Sequence, residues 1–145
     1  MPSEIVRMLR WVPAVVVMGV IFWFSSLPGD EVSRKTEPVL YHAPETITVQ
    51  PLEEPLRIRW LKVGHVIGYA LLGLTYLYAL QPGGRRAPFL AVALTLGYAV
   101  LDEFHQSFVP GRSARLEDVL LDVSAAILAI SVWHLAHGIW RFTHA

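Results

Sequence analysis

Residues Trp60–Leu80 have the sequence WLKVGHVIGYALLGLTYLYAL, and this stretch decides the class of fold. Its length matches the ~20 helical residues that cross about 30 Å of hydrocarbon. The whole chain is 54% hydrophobic and only 17% charged, whereas a soluble domain usually carries about 25% charged residues. Because the apolar residues are also clustered, the sequence predicts a membrane protein.

Three further apolar runs lie outside this stretch. The sequence therefore predicts an all-α, polytopic membrane protein with four transmembrane helices, forming one domain over residues 1–145. The segment at about 28–59 is rich in proline and charge, so we expect one long extramembrane loop between the first and second spans. The spans are expected at about residues 11–27, 60–80, 88–105 and 117–140.

The basic residues predict the orientation in the membrane. Four spans place both termini and the Gln81–Ala87 turn on the same side, and this turn contains Arg85 and Arg86 but no acid. Basic residues next to the first span, here Arg7 and Arg10, usually dominate orientation. We therefore expect cytoplasmic termini and an outward-facing loop after the third span.

Two features of the composition narrow the function classes. The chain contains no cysteine, which excludes disulfides, thiolate nucleophiles and cysteine metal sites. Its 12 basic and 12 acidic residues give zero net charge, so no global field favours a nucleic-acid partner. We therefore expect a membrane-embedded protein without a nucleic-acid partner.

Charge is concentrated between the third and fourth spans, where Leu101–Asp122 has the sequence LDEFHQSFVPGRSARLEDVLLD. A carboxylate at mid-membrane costs about 2.5–3.5 kcal/mol, so such groups face the bundle interior, pair with bases or line a wet cavity. Asp102 and Gln106 share a helix face through their spacing of four, and Asp118 and Asp122 do the same. We expect both faces to point into one shared site.

The second span carries a complementary polar stripe. Lys62, His65 and Tyr69 follow the three-then-four spacing of one helix face. The simplest packing puts these bases beside the acids of the third and fourth spans. The glycines near the stripe, which would permit close approach of another helix, are Gly64, Gly68 and Gly73.

These side chains indicate chemical roles. We expect His65, Asp102 and Glu103 to be catalytic acid/base groups, since adjacent carboxylates can hold a proton or bind a divalent cation through oxygen. No metal-ligand spacing is diagnostic, so the metal is left open. Arg112 has two open roles, a structural clasp on a buried carboxylate or a ligand for an anion such as a lipid phosphate, and we favour the second. The expected substrate-binding residues are Lys62, Tyr69, Gln106, Arg112, Asp118 and Asp122.

The motifs in these segments resemble those of VanZ-like membrane proteins. The resemblance implies four spans, a bacterial inner (plasma) membrane and an association with low-level resistance to the glycopeptide teicoplanin. The sequence FWFSSLP also resembles the usual end of the family's first span, whereas Asp122 and Ala125 stand where the family usually has Asn and Gly. The matching positions are Lys62, His65, Tyr69, Asp102, Glu103, Gln106, Pro110, Gly111, Arg112 and Asp118.

The leading hypothesis is a membrane protein with an outward-facing polar site that binds or modifies an envelope lipid headgroup. A polyprenyl-phosphate-linked cell-wall precursor is the natural candidate, because glycopeptides bind its exposed peptide. Arg112 and Lys62 would hold the phosphate, and Asp102 or Glu103 would act as acid/base or metal ligand. Whether the protein is an enzyme is left open. The alternatives are a non-catalytic accessory or binding protein of the envelope, a small proton-coupled transporter and a purely structural polar bundle.

Overall fold

The computed structural model describes residues 2–28, 54–112 and 114–143. Within these ranges it gives the backbone but not the side chains of residues 2–3, 54–62, 82–83, 138 and 141–142. Most of the predicted long loop falls on residues 29–53, which lie outside the described part of the chain.

The described residues form helices and no strand, which confirms the predicted all-α class. The α-helices are α1 (Pro2–Leu9), α2 (Val12–Ser25), α3 (Glu54–Leu80), α4 (Ala87–Gln106) and α5 (Leu116–Thr143), and a 3-10 helix, Gln81–Arg86, joins α3 to α4. Four helical stretches are long and apolar enough to cross a membrane, so this is a multi-pass membrane protein. They are Glu4–Ser25, Val63–Leu80, Gly84–Gln106 and Leu116–His137.

A short break divides the first span into α1 and α2. Arg10 and Trp11 form a turn, and Pro13 follows in the first turn of α2. Proline lacks an N–H and its ring clashes with the preceding helical turn, so it begins a helix more readily than it continues one. At this break the Arg10 guanidinium lies over the Tyr78 ring, 5.6 Å from its centroid. The start of the first span therefore lies beside the end of α3.

The second span belongs to a helix that begins earlier than its apolar run. α3 begins at Glu54, whereas the apolar sequence begins at Trp60. The apolar run sets the length of helix that lies in the hydrocarbon. The main-chain hydrogen bonds of a helix do not depend on side-chain polarity, so the helix can extend beyond the apolar run. Pro55 fits the first turn, where its missing N–H costs no hydrogen bond.

α3 is the central helix, because it packs against α2, α4 and α5, most extensively against α5. A Cβ placed on Gly73 would lie 2.8 Å from the Ala126 Cβ, so only glycine permits the observed approach of α3 and α5. A Cβ on Gly68 would lie 3.4 Å from Ile21 Cγ1 of α2, whereas a Cβ on Gly64 would meet nothing within 4 Å. Two of the three predicted glycines therefore lie at helix contacts.

Polar side chains are buried at one end of the bundle. Large apolar side chains such as Trp23, Leu101 and Phe104 are exposed on the outside, as expected of helices that face lipid. Ser25, Asp102, Glu103, Gln106 and Asp122 are buried, and we call the region that they form the acidic end. It lies where α2 and α4 end and α5 begins.

Candidate functional site

Asp102 is the centre of a buried hydrogen-bond network at the acidic end. Its Oδ2 accepts hydrogen bonds from Ser25 Oγ at 2.9 Å, Tyr69 OH at 3.1 Å and Gln106 Nε2 at 3.0 Å. The donors come from α2, α3 and α4, so the network joins three helices. An oxygen that accepts from three donors on three helices is held in one position.

The other oxygen of Asp102 has a different environment. Oδ1 is buried and has no hydrogen-bond partner among the described residues. A buried acceptor without a partner costs about 1–3 kcal/mol. The network therefore leaves one acceptor atom of Asp102 unused among the described residues.

Arg112 is positioned by a tight turn of Val109–Arg112. The Arg112 N–H donates to the Val109 carbonyl at 3.1 Å, and Gly111 has a φ of +75°. Proline in the second position and a positive-φ glycine in the third are the residues that suit a type II turn. The turn directs the Arg112 side chain back over the ends of α2 and α4.

The Arg112 guanidinium caps the carboxyl end of α2. Nη2 donates to the Phe24 carbonyl at 2.8 Å, Nε to the Leu27 carbonyl at 3.3 Å and Nη1 to Gln106 Oε1 at 3.3 Å. Carbonyls at a helix carboxyl end lack intrahelical partners and carry partial negative charge, so a cation stabilises them. The pKa of Arg112 is lowered, because the effect of burial exceeds the opposing effect of the nearby Asp102 and Glu103 carboxylates. The sequence left two roles open for Arg112, a clasp on a buried carboxylate and a ligand for an anion, and neither of them included this cap on backbone carbonyls.

The cap leaves part of the Arg112 side chain for another partner. A guanidinium has five N–H groups, and the hydrogen bonds to α2 and Gln106 use three of them. Arg112 is also only half-buried. The remaining N–H groups can meet a ligand at the rim of the acidic end without breaking the cap.

His65 and Asp122 form a second polar pair, between α3 and α5. His65 Nδ1 lies 3.3 Å from Asp122 Oδ2, and the exposed fraction of the side chain is 22% for the histidine and 3% for the aspartate. The Tyr69 ring stacks on the His65 ring with centroids 6.0 Å apart. The charges of Asp102 and Asp118 both act on Asp122, so this pair and the Asp102 network form one electrostatic cluster.

Glu103 connects α4 to the start of α5. Its Oε1 accepts a hydrogen bond from the Arg115 N–H, and Arg115 directly precedes Leu116, where α5 begins. A carboxylate at this position satisfies a free N–H and interacts favourably with the helix dipole. Asp118 lies in the first turn of α5, and its charge acts on Glu103. The acidic end therefore contains four carboxylates on two helices.

The structure brings all but one of the predicted site residues to the acidic end. Lys62 lies in α3, but its side chain is outside the described residues. Hydrogen bonds or charge interactions connect the others, whose individual catalytic and binding roles stay predictions. They are His65, Tyr69, Asp102, Glu103, Gln106, Arg112, Asp118 and Asp122.

Sequence reasoning missed two residues of the acidic end, Ser25 and His105. Ser25 is 1% exposed and donates to Asp102, although the sequence around it indicates only the end of the first span. His105 Nε2 lies 3.2 Å from Ser26 Oγ, and its ring stacks on Phe22 with centroids 4.6 Å apart. Serine is common in the last turn of a membrane span. Its presence at the end of the first span was therefore not enough to predict these contacts.

The carboxylates do not converge as metal ligands would. Within residues 2–28, 54–112 and 114–143, no group of three or more histidine and acidic residues could hold a metal ion. Asp102 and Asp122 instead each direct one oxygen to a partner on another helix. The carboxylates of Asp102 and Asp122 are therefore suited to accepting hydrogen bonds and exchanging protons.

A cavity at the other end of the bundle is separate from this cluster. It is half-open, has a volume of about 170 Å³ and lies between the 3-10 helix and α5. Its lining includes Leu77, Gln81, Trp133 and His134. No predicted site residue lines it, so the polar site and this cavity occupy opposite ends of the protein.

Comparison with protein families identifies a relationship for this chain. A family model described as VanZ/LLP1 matches residues 10–137. The matched range begins just before α2 and ends within α5, so it includes every residue of the acidic end. No curated protein and no solved structure matches the chain.

Proposed function

The chain belongs to the VanZ/LLP1 family, and we propose that its acidic end binds or modifies the headgroup of an envelope lipid at the outer face of the inner membrane. The natural candidate is a polyprenyl-phosphate-linked cell-wall precursor. The observation that supports this most is the position of Arg112, a half-buried cation at the rim directly above buried carboxylates. A lipid headgroup reaches such a site from the bilayer without crossing it.

Charge determines how such a headgroup would lie. A phosphate is repelled by the four carboxylates of the acidic end, so it would bind on the outer side of Arg112, where N–H groups remain. The planar guanidinium suits two phosphate oxygens at once. The sugar hydroxyls or amines of the headgroup would then face the carboxylates, which accept hydrogen bonds from such donors.

Acid/base chemistry is the further step that this arrangement would permit. Asp102 and Glu103 lie at the same end as His65, and Asp102 Oδ1 has no partner among the described residues. Such groups can take a proton from a bound hydroxyl or return a proton to it. Binding of the phosphate would require Arg112, whereas modification would also require the carboxylates of Asp102 and Glu103. Mutation of Asp102 or Glu103 would therefore remove modification and leave phosphate binding.

The test of binding uses Arg112→Gln and Arg112→Lys, with Arg115→Gln as the matched control. Arg115 is exposed and lies in the same loop, and its backbone N–H to Glu103 survives the change. Affinity of the purified protein in nanodiscs for a polyprenyl phosphate is measured together with thermal stability. Arg112→Gln should weaken binding by about tenfold or more, Arg112→Lys should bind at an intermediate level, and Arg115→Gln should bind as the wild type does.

One outcome would overturn this function. If both Arg112 variants bind the polyprenyl phosphate normally and only melt at lower temperature, Arg112 is solely a cap for α2. A binding loss of equal size in Arg115→Gln would show that the loop attracts phosphate through its overall charge, without a built site.

Resistance to teicoplanin is proposed as the cellular consequence of this binding. A protein that engages the lipid-linked precursor changes its access to a glycopeptide. Expression in a susceptible bacterium should raise the inhibitory concentration of teicoplanin, and Arg112→Gln should abolish the increase at equal membrane abundance. An unchanged inhibitory concentration for the wild-type protein would separate this chain from the phenotype associated with the family.

A proton-coupled transporter is the second candidate function, supported by the buried Asp102 and Asp122 and the partly buried His65. Carboxylates and histidines inside a bundle are the usual components of proton relays. The test is proton uptake by liposomes that contain the purified protein under an imposed pH gradient. Uptake that Asp102→Asn abolishes would favour transport, whereas lipid binding without proton flux would favour the headgroup site or a non-catalytic accessory role.

A further inference from the structure

We propose that Asp122 is a positioning residue for His65. It fixes the imidazole in the tautomer that carries its proton on Nδ1, so Nε2 is the nitrogen that meets a bound headgroup. The inference rests on the proposed function only for the identity of the headgroup. The tautomer itself is a property of the protein alone.

The geometry of the pair gives each residue a distinct place. The Asp122 side chain in α5 is 3% exposed, whereas the His65 side chain is 22% exposed. Only Nδ1 lies at the carboxylate, 3.3 Å from Oδ2. The carboxylate is thus the buried end of the pair, and the imidazole is its accessible end.

Tyr69 lies beside the imidazole. Its ring is nearly parallel to the His65 ring, with an angle of 16° between the planes, while its hydroxyl donates to Asp102 Oδ2. A flip that exchanged the two ring nitrogens would move Nδ1 away from Asp122, so the contact with the carboxylate opposes it. Orientation of this kind is what a histidine needs to act on a ligand in one direction.

Charged and titratable groups surround the pair from every packed element. Asp102 and Glu103 come from α4, Asp118 comes from α5 and Arg112 comes from the loop between these helices, and each interacts electrostatically with His65 or Asp122. Of these groups, the Asp122 carboxylate is the one that contacts the imidazole directly. It therefore determines which nitrogen keeps the proton.

A purely structural tie between α3 and α5 would not need this carboxylate. Gly73 and Ala126 already bring the two helices into close contact, and a neutral amide at position 122 could hydrogen-bond either tautomer of the ring, through its oxygen or through its nitrogen. A carboxylate adds the ability to stabilise an imidazolium. When Nε2 takes a proton from a hydroxyl, the O–H bond breaks, the electron pair stays on oxygen, and the positive ring faces Asp122.

Nitrogen NMR of protein labelled on its six histidines tests the assignment. The His65 signals are identified by their loss in His65→Gln, and spectra are recorded without added lipid over a pH range that extends to alkaline values, where the imidazole is neutral and has one tautomer or the other. In the wild-type protein, Nε2 should have the shift of an unprotonated nitrogen and Nδ1 that of an N–H. In Asp122→Asn, the population of this tautomer should fall at least several-fold, while thermal unfolding shows that the protein is folded.

Asp118→Asn is the matched control, because it removes a carboxylate one turn away whose charge also acts on Asp122. It should leave the His65 tautomer unchanged. A wild-type His65 that carries its proton on Nε2, or equal effects of Asp118→Asn and Asp122→Asn, would overturn the assignment. This test does not use the lipid-binding data for the Arg112 variants. The proposed function can therefore fail while the positioning role of Asp122 holds, and the positioning role can fail while the proposed function holds.

Discussion

Ser25 and Asp102, 77 positions apart in the chain, are joined by a buried hydrogen bond of 2.9 Å from the serine Oγ to the carboxylate Oδ2. This bond attaches the carboxyl end of the first span to the acidic network of α4. The same serine oxygen lies 3.2 Å from Gln106 Nε2, so Ser25 is both a donor and an acceptor. A residue that the sequence marks only as a helix end is therefore an integral part of the polar cluster.

Removal of the Ser25 hydroxyl should destabilise the protein. Ser25→Ala leaves Asp102 with one donor fewer and Gln106 with one acceptor fewer, and we expect a loss of about 1–2 kcal/mol in the free energy of unfolding. Reversible unfolding in mixed detergent micelles measures it. Ser131→Ala is the control, because the exposed Ser131 hydroxyl donates to the Ile127 carbonyl of its own helix. Equal losses in the two variants would contradict the structural importance of Ser25.

The Asp102 carboxylate should matter more than any one of its donors. Asp102→Ala leaves three buried donors without their acceptor, so we expect a loss of about 3 kcal/mol or more. Asp102→Asn keeps one acceptor oxygen and should lose less. The same unfolding assay ranks the two variants. If asparagine is as damaging as alanine, the donors require the negative charge and not merely an oxygen.

The contact between α3 and α5 should tolerate no side chain at Gly73. A Cβ there would overlap the Ala126 Cβ, so Gly73→Ala should destabilise the bundle by about 1–3 kcal/mol, as overpacking does. Gly64→Ala, in the same helix, adds a Cβ in open space and should be neutral or slightly stabilising, because alanine is the better helix former. Unfolding curves that order these variants the other way would disprove the close packing.

The expected orientation can be tested because the chain contains no cysteine. Ser107→Cys places a thiol at the exposed end of α4, and Arg85→Cys places one in the exposed turn at the other end. An impermeant thiol reagent should label position 107 in intact cells and position 85 only after permeabilisation. The reverse pattern would put the acidic end in the cytoplasm and remove the proposed access to outer-leaflet precursors.

The fold could be predicted from the sequence because the membrane reduces the choices. Long apolar runs bounded by glycine, proline and arginine can satisfy their backbone groups in hydrocarbon only as helices or closed barrels, and the runs have helical length. Helical spacing also placed Asp102 and Gln106 on one face, where the structure has a hydrogen bond of 3.0 Å. Both inferences use residues within a single helix.

The unpredicted part of the site depends on contacts between helices. Spacing within α2 cannot indicate that Ser25 faces Asp102, because that depends on the rotation of one helix against another. The partners of Arg112 are mainly the carbonyls of Phe24 and Leu27. Main-chain carbonyls have no signature in the sequence, so the search for an acidic or anionic partner could not find them.

The Arg112 cap also constrains the order in which the protein is assembled. Leu27 precedes Arg112 by 85 positions, so the first span leaves the ribosome well before the guanidinium that binds its end. During synthesis the carboxyl end of the first helix remains exposed to water or headgroups, which satisfy its carbonyls temporarily. Its cap is completed only when the loop between α4 and α5 has been made and placed at the same end of the bundle. The last hairpin to be inserted thereby supplies the cap of the first helix, and a chain truncated after the third span would keep the Ser25–Asp102 hydrogen bond but lack the cap.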